Sequence, residues 1–183
     1  LVGLGNPTPD SKENRHNIGF KIIDAINQKF SLSKQKPKFK GLLTTGNISN
    51  KKVYAIKPLT FMNNSGICIR ELVEYFKIDI EDIIVFHDDL DIDFGKIKAK
   101  IGGSSAGHNG IASIDKFVGK DYSRVRIGIG KPDSKISTSD YVLNNFSEEE
   151  KENLDKITEN IINSLSILID KKLELFSSTV NNK

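Results

Sequence analysis

Short apolar runs suited to β-strands alternate along this chain with apolar stripes at helical spacing, and that order restricts the fold to a sheet covered by helices. Strand-like runs occupy 1–4, 42–45, 53–56, 83–86 and 125–129, and 96–101 alternates polar and apolar residues. Over 18–30, Ile22, Ile23, Ile26 and Phe30 share one helical face, and Ile69, Leu72, Val73 and Phe76 share another. Asn63, Asn64 or Ser65 is the candidate cap of that second helix. A third helix is predicted over 147–176. Ser147 and Glu150 form a capping box, Phe146 is placed as a staple, and Leu154, Ile157, Ile161, Leu165 and Leu168 continue the stripe. The glycine-rich run 102–110 opens one more helix. With no repeat or linker, residues 1–183 are expected to form one α/β domain, a twisted, mixed and largely parallel sheet with helices packed on its faces.

At 183 residues, 37% of them hydrophobic, the chain can bury a core of its own. It opens on Leu1 within a strand already under way, so a few residues are expected to precede it. Its one cysteine, Cys68, has no partner for a disulfide, and neither a leader nor an apolar stretch of roughly 18 residues occurs, which points to the cytoplasm and away from a membrane. Net charge is only +3 but uneven. Residues 146–176 hold eight acids against four lysines, leaving the remainder, with 23 basic and 16 acidic residues, at +7. Lysines at 34–40, 51–52, 96, 98 and 100 carry the basic surface, which suits phosphates or simply solvent.

Chemistry gathers in the loops that leave the strands, where α/β sheets place their sites. One carries Gly5-Asn6-Pro7 and delivers Arg15-His16-Asn17 to the next helix; a second runs from Lys57-Pro58 through Phe61-Met62-Asn63-Asn64-Ser65-Gly66. His87-Asp88-Asp89-Leu90-Asp91 forms the third and Gly107-His108-Asn109-Gly110 ends the fourth. Cys68 has no thiolate environment, and Gly103-Ser104-Ser105-Ala106-Gly107, though it spells Gly-x-Ser-x-Gly, has no apolar strand running directly into its serine as a nucleophile elbow requires; a covalent serine or cysteine route is disfavoured. Histidine, carboxylate and carboxamides can instead hold a water, fix an imidazole tautomer and donate to an oxyanion, the apparatus of one-step ester hydrolysis. His16 is the candidate base and Asp88 its partner. Singly, each residue has a plain structural alternative: Asn6 closing a turn, Asn63 and Asn109 capping helices, Phe61 and Met62 filling the core.

Together these motifs, with Arg126-x-Gly128-Ile129-Gly130, resemble the bacterial-type peptidyl-tRNA hydrolase family over almost the whole chain. The resemblance implies an enzyme that hydrolyses the ester between peptide and tRNA, without metal or cofactor, and frees the tRNA for translation. It implies His16 as base, Asp88 as its orienting carboxylate, and Asn6 as the contact near the ester that separates a blocked from a free α-amino group. Phe61, Met62, Asn63, His108 and Asn109 would bind the peptide and the tRNA 3′ end. Lys100, with Arg126 or its neighbour Arg124, would clamp the 5′ phosphate. A monomer is expected, with the segment 131–147 as a mobile lid.

Three departures from the family pattern stand out: Thr8 in place of glycine, Ser11 in place of tyrosine, and Ser104-Ser105-Ala106 in place of a richer glycine and histidine stretch, all expected around the groove. Rival readings are weaker. A dinucleotide fingerprint from Gly3-Leu4-Gly5 needs glycine where Thr8 stands, and Pro7 and Pro9 obstruct its helix. A zinc hydrolase built on His16, His87 and Asp88 lacks a helical ligand pair. An RNA-binding relative without activity would not need the whole set from Asn6 to Asn109.

Overall fold

The computed structural model describes residues 1–132 and 135–182. Its elements in chain order are β1 (Val2–Gly3), α1 (Ile18–Lys29), β2 (Lys36–Lys38), β3 (Gly41–Ile48), β4 (Lys51–Pro58), α2 (Ser65–Phe76), β5 (Ile84–Asp89), β6 (Ile97–Ile101), α3 (Asn109–Val118), β7 (Ser123–Gly128), α4 (Thr138–Leu143), α5 (Glu148–Asn163), α6 (Leu165–Ile169) and α7 (Leu173–Asn181). The strands make one sheet in the order β2-β3-β4-β1-β5-β7-β6. β4, β1, β5 and β7 run parallel at its centre, while β2, β3 and β6 pair antiparallel at its margins. This is the mixed, largely parallel sheet expected from the alternation of strands and helices.

Strand side chains alternate between faces, so the sheet divides the core in two. Ala55, Ile84, Phe86, Val125 and Ile127 pack with α1 and with α5 to α7. Val2, Leu4, Ile56 and Val85 pack with α2 and α3 on the other side. Glycine permits the closest approach between helix and sheet: a Cβ on Gly3 would collide with the Gly19 carbonyl, and one on Gly19 with the Leu4 backbone. The start of α1 is thereby pressed against the exits of β1 and β5.

Two expectations are corrected. The helix over 147–176 is three helices, turned at Ser164 and again at Lys171, whose φ is +61°. β2 lies where only a basic surface run was read, and β3 extends beyond 42–45. The segment 131–147 contains α4; its positions 133 and 134 lie outside the described residues. No helix among the described residues is long and apolar enough to cross a membrane.

Candidate active site

Parallel strands point their C-terminal ends the same way, so the loops after β1, β4 and β5 and the loop before α3 meet in one groove of about 600 Å³. Asn6, His16, Phe61, Met62, Asn63, Asp88, His108 and Asn109 all line it. Asp89, Leu90, Asp91, Ser105, Ala106 and Gly107 complete one part, and Thr138, Ser139, Val142 and Leu143 of α4 form a wall.

His16 sits in a 3₁₀ turn, Arg15–Asn17, that leads into α1, and only 8% of it is exposed. Its Nδ1 lies 2.9 Å from Oδ1 and 3.0 Å from Oδ2 of Asp88, the buried penultimate residue of β5. A carboxylate there accepts a hydrogen bond from Nδ1–H, which leaves Nε2 as the basic nitrogen, without a protein partner among the described residues. His108 approaches the same carboxylate, its Nε2 3.0 Å from Asp88 Oδ1. Its Nδ1 is the N-cap of α3 and accepts from the amides of Gly110 and Ile111 at 3.1 and 3.3 Å. That cap fixes the tautomer: Nδ1 is bare, and Nε2 carries the proton given to Asp88. Burial alone would raise the Asp88 carboxyl, but the facing His16 and His108 imidazoles and their hydrogen bonds hold it well below the usual carboxylate range.

The third histidine has a different part. His87 donates from Nδ1 to the Asp88 carbonyl at 2.8 Å, and its Nε2 is buried without a partner. Burial, then the neighbouring His108, pushes its pKa down to about 3. It packs edge-on against His108 with ring centres 4.9 Å apart, as a neutral filler. The trio that converges is therefore His16, Asp88 and His108, with ligand atoms within 4.8 Å of one another, and not the His16, His87 and Asp88 set of the zinc reading. A metal on His108 Nε2 would drive the ring proton onto Nδ1, against two amide donors, so the bonding is that of a proton-sharing set.

Asn6 is held from both ends. Its amide donates to Asn17 Oδ1 at 2.8 Å, its carbonyl accepts from Asn17 Nδ2 at 2.9 Å, and its Oδ1 accepts from the Met62 amide at 3.0 Å. With the oxygen so engaged, the two Nδ2 protons face the groove without a protein partner among the described residues. Asn17 lies within the Arg15-His16-Asn17 motif but carries no role on sequence grounds; only the fold shows that it orients Asn6. Asn63 and Asn109 are exposed. Neither is the cap that the structural alternatives assumed: α2 has no side-chain cap, and His108 caps α3. Phe61 is 59% exposed and Met62 is 5% exposed, so one presents its ring and the other supports the floor. Burial pushes the Cys68 thiol up to about 12, which keeps it an inert core residue.

The basic residues lie outside the groove, along the sheet margin. Lys100 pairs in register with Arg124, and Lys98 with Arg126. Arg124 is 1% exposed, bound to Asp115 at 2.8 Å and to the Ser104 carbonyl at 3.0 Å. Arg126 is partly exposed and donates from Nε to Asp89 Oδ2 at 2.7 Å. Of the departures, Ser105 and Ala106 line the groove; Thr8 and Ser11 do not, and their hydroxyls bond to each other at 2.6 Å. The α4 wall had one sequence signal, the Ser137-to-Asp140 cap, which the structure forms.

A model of the family described as Peptidyl-tRNA hydrolase matches residues 1–183. The peptidyl-tRNA hydrolase of Pelagibacter ubique (strain HTCC1062) is 79% identical over 183 residues, covering 100% of this chain and 98% of the relative. That of Bartonella henselae is 44% identical, over 99% of this chain and 94% of the relative. The crystal structure of peptidyl-tRNA hydrolase from Acinetobacter baumannii superposes with a TM-score of 0.92 at 34% identity, covering 98% of this chain and 92% of that one. By sequence over its whole length and by fold, the chain belongs to the peptidyl-tRNA hydrolase family.

Proposed function

We propose that this chain hydrolyses the ester between a peptide, or an N-blocked aminoacyl group, and the 3′ end of tRNA. His16 carries the chemistry. Its Nε2 takes a proton from a water in the groove, and the resulting hydroxide adds to the ester carbonyl. The oxyanion so formed receives hydrogen bonds from Asn6 Nδ2. On collapse the C–O bond to the ribose breaks, the departing oxygen takes the proton back from Nε2, and a free tRNA leaves with a carboxylic acid that loses its proton to solvent. General-base help of this kind contributes roughly 10²–10⁴-fold, which suffices for an ester already more reactive than an amide. No metal or cofactor is required.

The observation that carries the reading is the His16 to Asp88 contact at 2.9 Å, in a groove that Asn6 also lines, with His16 Nε2 and Asn6 Nδ2 both without a protein partner among the described residues. Phe61, Met62, Asn63, His108 and Asn109 are the substrate-binding set, His108 through its hold on Asp88. Lys100 and Arg126 are the phosphate clamp; Arg124, sealed against Asp115, is not. The 1–183 chain acts as one catalytic domain and as a monomer. A lone buried cysteine and a tRNA substrate fit the cytoplasm.

The test is release of tRNA from N-acetyl-aminoacyl-tRNA in EDTA, beside the unacetylated form. Rapid release of the acetylated form alone is expected. No release, or release only after metal is restored, would overturn the reading.

A further inference from the structure

Residue 15 carries a positive charge into the protein interior directly beside the candidate base. Arg15 is 8% exposed, and nothing in the proposed chemistry uses it. Its Nη1 donates to the carbonyls of Asn144 and Asn145 at 3.3 and 2.9 Å. Its Nη2 reaches Glu150 Oε2 at 2.7 Å. The guanidinium lies over the Tyr141 ring at 4.3 Å and near that of Phe146 at 5.4 Å. The backbone repeats the link, since the Arg15 amide donates to the Asn144 carbonyl and the Phe146 amide to that of Glu13.

Apart from Glu150 at the start of α5, everything Arg15 holds belongs to the strap that carries α4, the wall supplying Val142 and Leu143 to the groove. Glu150 Oε2 also accepts from the Ser147 amide in the capping box, so one carboxylate ties the strap to both α5 and Arg15. Tyr141 adds a further tie from its hydroxyl to the Ile129 carbonyl at 2.7 Å. A planar fork with several fixed donors matches two carbonyls and a carboxylate at once; a lysine head cannot.

We infer that Arg15 is a positioning residue that latches α4 to the turn carrying His16 and so holds the substrate-facing wall at a fixed distance from the base. The catalytic role of the groove rests on the function proposed above; the latch itself does not. It also revises the mobile lid expected over 131–147: the stretch from Thr138 to Phe146 is tied down at Tyr141, Asn144, Asn145 and Phe146.

Amide hydrogen exchange and steady-state kinetics on Arg15→Gln and Glu150→Gln test the latch. With Arg15→Gln, exchange across 138–146 is expected to speed up roughly tenfold while β5 keeps its protection. KM for N-acetyl-aminoacyl-tRNA should rise roughly tenfold, with kcat within about threefold. Glu150→Gln, at a partly exposed site, should move both readouts the same way by less, and it decides the matter if Arg15→Gln fails to fold. Unchanged exchange across 138–146 in the folded variants would overturn the latch, as would a collapse of kcat at constant KM. Exchange needs no substrate, so an inactive wild-type chain would defeat the proposed function and leave this test intact.

Discussion

Nε2 of His108 stands 3.0 Å from Oδ1 of Asp88 and donates to it, because Nδ1 of the same ring is already engaged by two amides of α3. Asp88 therefore serves two imidazoles. His108 fixes the carboxylate, and the carboxylate fixes His16 with Nε2 bare. Both rings approach Oδ1 and His16 also approaches Oδ2, so a carboxamide at position 88 puts an N–H group within reach of His16 Nδ1 in either orientation. With that group donating, Nδ1 becomes an acceptor and the proton moves to Nε2. Asp88→Asn should lower kcat by roughly 10³–10⁴-fold, the scale expected when a catalytic histidine is held in the wrong tautomer, with little change in KM. Steady-state kinetics check it; a fall of less than about tenfold would show that Asp88 does not set the tautomer.

Asn6 offers a substitution that alters one atom. Aspartate at this position can still accept from the Met62 amide, so the local fold should stand, but it puts an oxygen where Nδ2 faced the groove. Loss of one oxyanion donor costs about 10²–10³-fold in kcat, and Asn6→Asp should lose at least that much while keeping its thermal midpoint. Retention of kcat would remove Asn6 from the chemistry.

Acid stability should report on His87. Its folded pKa is pushed down to about 3, below the ordinary 6.5 of an exposed imidazole. Below pH 6.5 the unfolded chain takes up a proton that the folded chain refuses, so stability present above that pH drains away as pH falls toward 3. The slope is at most about 1.4 kcal/mol per pH unit. His87→Gln should flatten this limb, read as urea midpoints from about pH 7 to about pH 4. An unchanged slope would contradict it.

Arg124 of β7 and Lys100, its register partner on β6, should separate cleanly. Arg124→Ala leaves the largely buried Asp115 with the Tyr122 hydroxyl but without its ion-pair partner and should cost about 3 kcal/mol of stability, seen in denaturant unfolding. Lys100→Ala should leave stability alone, raise KM for the tRNA substrate and reduce the salt slope of binding by about one. Indifference of KM to both the mutation and salt would remove Lys100 from the clamp.

The convergence of four loops was legible because strand-exit chemistry in an α/β sheet has few other places to go. The start of α5 was legible too, since a capping box is a local signal. Its end was not: the stripe from Leu154 to Leu168 states which face is buried and runs on through the turn at Ser164. β2 was hidden because Lys36-Pro37-Lys38 is exposed throughout and has no apolar alternation. Arg124 and Arg126 share a face by strand periodicity, and only Asp115, brought in by α3, tells them apart. The tie between Asn6 and Asn17 and the cap made by His108 need the fold, since neither has a local sequence signal.

The most direct test of the central claim is single-turnover cleavage of N-acetyl-aminoacyl-tRNA by the wild-type chain and by His16→Ala, with equilibrium affinity for deacylated tRNA measured beside it. His16→Ala should slow cleavage by roughly 10²–10⁴-fold and leave affinity within about threefold, because the imidazole acts on water and not on RNA. An affinity loss as large as the rate loss, or cleavage at the wild-type rate, would contradict the assignment of His16 as the base.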